Sequence, residues 1–262
     1  MSKLLDRLDR ITRGPVRTLG FGPAAPRETI PTLALLAGLT KPTIAATKKV
    51  MDSGVDAIIF GEALEQKSIA RFPKGTVWGV AVSGLDKEKA DKFRSQGCDF
   101  MVFDVEHTLV EALEEGDCGR VLRVSSDLEE AKLRGIEDLP ADLIVVNQPV
   151  PDGRLNLTHL LAIANVRNAT NRYLILEWNS ELSQNELEQL RTLGIDGLLV
   201  TGNDTGSIIG ALRKEIDALP NRKPRGDREQ RGAAILPRLE TAGVNRSRPE
   251  PDEDDDDDWE EP

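Results

Sequence analysis

Between Pro31 and Leu219 the chain alternates, eight times over, a short apolar run suited to a strand with an amphipathic stretch suited to a helix. The apolar runs are "TLALLAG" from Thr32, "DAIIFG" from Asp56, "TVWGVAV" from Thr76, "DFMVFD" from Asp99, "RVLRVS" from Arg120, "DLIVVN" from Asp142, "YLILEW" from Tyr173 and "DGLLVTG" from Asp196. Continuous apolar runs of this length belong to strands covered on both faces, as in parallel sheets with crossover helices. Strict strand–helix alternation repeated eight times predicts a (β/α)8 barrel of the TIM type rather than an open doubly wound sheet.

An internal repeat supports the count. "SGVDAIIF", "QGCDFMVF", "LPADLIVV" and "LGIDGLLV" set an aspartate at the start of strands two, four, six and eight, and Asp56, Asp99, Asp142 and Asp196 are 43, 43 and 54 residues apart. That spacing is one (βα)2 unit, as expected of a barrel whose interior is layered by alternate strands. The glycine before three of these aspartates suits the left-handed position that ends a helix. Residues at strand starts lie on the N-terminal face of such a barrel, where a structural role is expected.

Outside the barrel, 31–219, two further segments are predicted. Residues 1–30 hold an amphipathic helix with Leu4, Leu5, Leu8 and Ile11 on one stripe, then an irregular connector. The helix is expected either to plug the barrel bottom or to meet a second subunit, which would make the protein a homo-oligomer. Residues 220–262 are basic and rich in Pro and Gly, then strongly acidic, and read as a disordered tail with a protein partner expected at "AAILPRL". The stretch Glu250–Glu261 carries ten carboxylates and no base, so almost all of the net charge of −11 resides there. The remainder is nearly neutral and has no electrostatic footprint for nucleic acid. No apolar run approaches the roughly 18 residues of a membrane span, so no membrane association and a cytoplasmic location are expected. The two cysteines, Cys98 and Cys118, are expected as free thiols.

In a barrel of this kind chemistry is carried where strands meet the loops that follow them. Glu62 ends strand two; Asp104, Glu106 and His107 end strand four, and Arg123 lies in strand five. Asn147 and Gln148 end strand six, Glu177 lies in strand seven, and Asp204 follows strand eight. Asp104 and Glu106 share a face if the strand runs on regularly, and Arg123 on the next strand is placed to neutralise one of them. Glu177 interrupts a strand otherwise written for burial, where a carboxylate is costly without a cation or metal. His107 is one of only two histidines, and imidazole is the side chain best suited to moving protons near neutral pH. No lysine lies within a strand, which disfavours Schiff-base chemistry. The last unit, "LLVTGNDTGSIIGALRKEI", passes from strand to helix through Thr205, Gly206 and Ser207, whose backbone N–H groups could bind a phosphate or carboxylate.

From Thr76 to Gly206 the chain resembles the metal-dependent class II pyruvate aldolases of the 4-hydroxy-2-oxoheptanedioate aldolase family. "GCDFMVFDVEHT" is similar to that family's strand ending Asp-x-Glu-His, and "RVLRVS" to its next strand with a catalytic arginine. "YLILEW" through "LLVTGNDTG" is similar to its two acidic ligand strands. The resemblance implies His107 as base or proton shuttle held by Asp104, and Arg123 on the enolate oxygen. It implies Glu177 and Asp204 as ligands of Mg2+ or Mn2+, and reversible aldol cleavage of a 2-oxo acid. Ile175 stands where the family has glutamine, and "TGND" where it has Gly-Pro-Ala-Asp. Two other readings remain open on the residues alone: a barrel enzyme acting on a small phosphorylated substrate, and a non-catalytic binding or scaffold barrel joined to partners through its tail.

Overall fold

In the computed structural model, residues 2–14, 31–40, 43–64, 69, 72–73, 75–147, 154–202 and 205–220 are described. Eight parallel strands close into a barrel in sequence order: β1 (Ala34–Leu39), β2 (Ala57–Gly61), β3 (Trp78–Ala81), β4 (Phe100–Phe103), β5 (Gly119–Ser125), β6 (Leu143–Asn147), β7 (Tyr173–Glu177) and β8 (Gly197–Thr201). The closing pair, β1 on β8, is in register from Ala34 opposite Gly197 to Gly38 opposite Thr201. The barrel expected from the alternation is present, with strand boundaries within two residues of those predicted.

Seven α-helices occur among the described residues: α1 (Lys3–Arg13), α2 (Ile44–Asp52), α3 (Lys87–Ser95), α4 (Glu130–Arg134), α5 (Leu157–Ala169), α6 (Gln184–Leu193) and α7 (Gly206–Ala218). The count of eight barrel helices is not met at the fourth connection, where only a 3-10 turn, Val110–Leu113, stands between β4 and β5. A hydrogen-bonded turn at 104–108 and the "EEGD" stretch at 114–117 use up most of that connection, leaving too little chain for an α-helix. Residues 65–68, 70–71 and 74 of the second connection, the prolines of the sixth, and 221–262 with the acidic stretch lie outside the described residues.

Two apolar layers hold the barrel. The outer one packs helices on strands, with Leu35, Ile58, Ile144 and Leu198 facing Val50, Phe93, Leu187 and Leu212. The inner one stacks Ala34, Leu36, Ala57, Ile59, Phe100, Val102, Val121, Leu143, Val145, Ile175 and Leu199. Leu4, Leu8 and Ile11 of α1 join this inner layer, all buried, so α1 plugs the barrel from below. Removing these three side chains from water is worth about 1.5–3 kcal/mol each.

The repeated aspartates explain how the bottom is fastened. Asp56, Asp142 and Asp196 each accept the backbone N–H of the preceding strand, from Leu35 at 2.7 Å, Arg120 at 2.9 Å and Leu174 at 3.0 Å. Asp99 is instead turned to α1, accepting Ser2 Oγ at 2.8 Å, Lys3 N at 2.8 Å and Leu4 N at 3.0 Å. A carboxylate there satisfies the helix's first free N–H groups and meets its positive end. Arg7 completes the attachment through Asp56 at 2.9 Å. Burial pushes the Asp56 carboxyl above its ordinary value, against the opposing pull of the Leu35 N–H, Arg7 and Arg213. Gly97 and Gly194, at φ 81° and 97°, make the left-handed turns into the repeat that the sequence predicts.

Candidate functional site

Side chains two residues beyond the inner layer point into the barrel's C-terminal mouth, because strand side chains alternate between faces. On β5 this gives Arg123 and Ser125 beyond Val121; on β6, Asn147 beyond Val145; on β7, Glu177 beyond Ile175; on β8, Thr201 beyond Leu199. Ser125, Asn147 and Glu177 are register neighbours, so four adjacent strands line one half of the mouth with polar groups. The other half is small: Gly38, Gly61 and Ala81 on β1 to β3. At Gly61 a methyl group would meet nothing nearer than the Thr40 carbonyl oxygen at 3.8 Å, whereas at Gly38 it would strike Thr201 Cγ2 at 2.8 Å.

Arg123 and Glu177 are joined at the centre of the polar half. Arg123 Nη2 donates to Glu177 Oε2 at 2.5 Å, and Thr201 Oγ1 donates to Glu177 Oε1 at 3.0 Å. Asn179, just beyond β7, fixes that hydroxyl: its Nδ2 donates to Thr201 Oγ1 at 3.0 Å and its Oδ1 accepts the Thr201 N–H at 2.7 Å. The Glu177 side chain is only 11% exposed, but that of Arg123 is 38% exposed. The cation is thus open to solvent or a ligand while its carboxylate partner is held from behind. Arg123 Nε is buried and makes no hydrogen bond among the described residues.

The remaining predicted residues are placed differently. Arg123 meets Glu177 and not Asp104 or Glu106, because Asp104 opens a turn instead of extending β4. Asp104 Oδ1 accepts the His107 N–H at 3.1 Å and lies 3.6 Å from its Nδ1, and Thr108 Oγ1 donates to the Asp104 carbonyl at 2.7 Å. The His107 side chain is 65% exposed, packing beside Gly84 of the third loop, and Glu106 is exposed. Glu62, next to the inward Gly61, turns outward and pairs with Lys89 Nζ at 2.9 Å. Thr205 is buried at the start of α7 with its Oγ1 lacking a hydrogen bond among the described residues. Ser207 is exposed, and Lys49 of α2 crosses Gly206 so closely that a methyl group there would lie 2.9 Å from its Cε. Asp204 and Gln148 lie outside the described residues.

For Mg2+ or Mn2+ the described donors do not make a site. No group of three or more His, Cys, Asp or Glu able to hold a metal occurs among them, and both Glu177 oxygens are already engaged. The second expected ligand, Asp204, is not among the described residues. Thr201 and Asn179 were not singled out from the sequence; counting two on from the apolar Leu199 would have found Thr201, but nothing marks the return of Asn179 onto it.

No protein-family model matches the sequence, and no curated protein matches it. Solved structures do resemble the fold. Tryptophan synthase from M. tuberculosis superposes with a TM-score of 0.59 at 12% identity, covering 84% of this chain and 100% of that chain. A mutant tryptophan synthase α-subunit from Pyrococcus furiosus gives 0.53 at 11%, covering 71% and 97%. Thiamine phosphate pyrophosphorylase from the same organism gives 0.52 at 13%, covering 71% and 96%. At these identities the likeness establishes the TIM-barrel fold and nothing finer. No helix among the described residues is long and apolar enough to cross a membrane.

Proposed function

We propose that this chain is a barrel enzyme that takes a small 2-oxo acid at the mouth over β5 to β8 and makes or breaks the bond between its C3 and C4 carbons, one carbon out from the carbonyl. The observation that carries the reading is the Arg123–Glu177 pair, a half-exposed cation beside a carboxylate held by Thr201. A guanidinium is the side chain best shaped to receive a carboxylate, and it can also face the oxygen on which enolate charge develops. When the substrate's carboxylate takes Arg123, Glu177 loses its counter-charge and stands beside a second anion.

In the cleavage direction Glu177 accepts the proton of the 4-hydroxyl, the C3–C4 bond breaks, and an aldehyde leaves. The electron pair of that bond becomes the enolate of pyruvate, whose oxygen faces Arg123, and a proton returned to C3 completes the product. The Asp104–His107 turn stands at the rim, where it can pass that proton to and from solvent.

A second reading, action on a small phosphorylated substrate, is favoured by the buried Thr205 hydroxyl and the Lys49 side chain at the start of α7. Thiamine phosphate pyrophosphorylase, by its name a protein that handles a phosphate, shares the fold.

The test is calorimetric titration of pyruvate, oxaloacetate and glycerol phosphate into the full chain and into Arg123→Gln. Deuterium exchange at the pyruvate methyl is followed in parallel, with and without added Mg2+ or Mn2+. Saturable binding of the oxo acids that Arg123→Gln abolishes, with exchange in the wild type, is the expected result. Binding of glycerol phosphate alone would favour the second reading, and binding of none of them would leave a non-catalytic barrel.

A further inference from the structure

Cys98 and Cys118 lie at the other end of the barrel from the mouth, immediately ahead of β4 and β5. Those strands are neighbours, with Phe100 opposite Gly119, and the Gly119 N–H donates to the Asp99 carbonyl at 2.9 Å. That register sets Cys118 opposite Asp99, one residue off Cys98, so the two cysteines are a diagonal of roughly 6 Å apart, within the Cα separation a disulfide accepts. Both are free thiols in contact with the same hydrophobic cluster, Cys98 buried and Cys118 partly exposed. Cys98 Sγ donates to the Phe100 carbonyl at 3.0 Å.

We propose that Cys98 and Cys118 form a redox-active dithiol, oxidised by a low-molecular-weight disulfide to an intramolecular disulfide, with Cys118 as the attacking sulfur and Cys98 as the resolving one.

The assignment of roles follows from the surroundings. The neighbouring Cys98 holds the Cys118 thiol below its ordinary value, and the charge of Arg94 in α3 adds to this. Burial of Cys118 and the carboxylates of Asp99 and Asp142 oppose the shift without reversing it. The neighbouring Cys118 and burial push Cys98 above its ordinary value. Arg94 is fixed by its Nη2 on the Ala112 carbonyl at 3.0 Å and its Nη1 on Asp91 at 3.0 Å, while its buried Nε lacks a hydrogen bond among the described residues. A partly exposed thiol near a cation is the more reactive kind of cysteine, and a buried thiol on the neighbouring strand is placed to resolve a mixed disulfide.

The step balances with a disulfide such as oxidised glutathione. The Cys118 thiolate attacks one glutathione sulfur, the glutathione S–S bond breaks, and one glutathione thiolate leaves. Cys98 then gives up its proton and attacks Cys118 Sγ, and the second glutathione leaves as a thiolate. The protein loses two electrons and two protons, and oxidised glutathione becomes two reduced molecules. The bond would close the segment 99–117, which carries the Asp104–His107 turn.

The test is equilibration of the full chain in glutathione redox buffers, acid quench, alkylation after unfolding, and mass spectrometry. The expected product is one Cys98–Cys118 disulfide, reversed by dithiothreitol. In Cys98→Ala, shown folded by circular dichroism, a glutathione adduct should accumulate at Cys118, and Cys118→Ala should gain none at Cys98. Two alkylatable thiols in wild type after an excess of oxidised glutathione would overturn the proposal. So would a persistent wild-type adduct, a disulfide between chains, or initial attack by Cys98. The wild-type readout does not depend on the variants folding.

Discussion

Replacing Glu177 by glutamine should make the mouth bind a carboxylate more tightly while abolishing its chemistry. The amide oxygen can still accept the Thr201 hydroxyl, which donates to Glu177 Oε1 at 3.0 Å, so the side chain stays in position. What disappears is the charge facing Arg123. With the charge centres about 4 Å apart and an effective dielectric constant near 20, the attraction amounts to about 4 kcal/mol before solvation is counted. The Arg123 side chain is 38% exposed, so water competes for it and the net coupling falls to roughly 1–2 kcal/mol. A ligand carboxylate must break that coupling in the wild type but not in Glu177→Gln, which corresponds to a roughly ten-fold gain in affinity. Loss of the proton acceptor should meanwhile cost about 100-fold or more in turnover. Calorimetry with pyruvate and methyl deuterium exchange by NMR read the two effects separately. If Glu177→Gln binds pyruvate no more tightly than the wild type, Arg123 is not the anion site and the reasoning fails.

Leu8→Ala should destabilise the protein by about 2–5 kcal/mol in urea unfolding, because Leu8 is wholly buried in the inner layer; a loss below 1 kcal/mol would show that α1 is not a plug. Gly79→Ala should cost about 1–3 kcal/mol, since the new methyl would lie 2.4 Å from the Phe100 ring, and an unchanged midpoint would mean that ring is free to move. Burial raises the affinity of Asp142 for a proton, but the bonds from Arg120 outweigh it and hold the carboxyl below its ordinary value. Its stabilising contribution, about 1 kcal/mol, is therefore present above the unfolded value near 4 and lost as pH falls through the lower folded one. Asp142→Asn should flatten that part of the acid limb in a urea series from pH 5 to pH 2, and an unaltered limb would contradict it.

How much of the site was legible follows from what strand period can reveal. Arg123 and Glu177 stand out because each breaks an apolar run, and alternation alone assigns both to the inner face. Their pairing is not legible, since it joins β5 to β7 across Asn147 of β6 and depends on the stagger of a closed barrel. Asp104 and His107 stand out equally in the sequence, yet the structure puts them on an exposed turn, because Asp104 spends its carboxylate on the His107 N–H. Position at a strand end predicts Glu62 in the mouth, but a shift of one residue sends it outward to Lys89.

The sequence by itself determined the barrel: eight doubly covered apolar runs have few other ways to bury both faces, and the aspartate repeat marks its two-strand unit. It also determined that α1 has one apolar stripe to bury. Only the tertiary structure decided where that stripe goes, because the floor of the inner layer and the Asp99 carboxylate that receives α1 exist only once the strands have closed. The same holds for the mouth and for the two cysteines, whose partners are separated in the chain and brought together by neighbouring strands. Period fixes which face a side chain takes, and closure of the barrel fixes what it meets there.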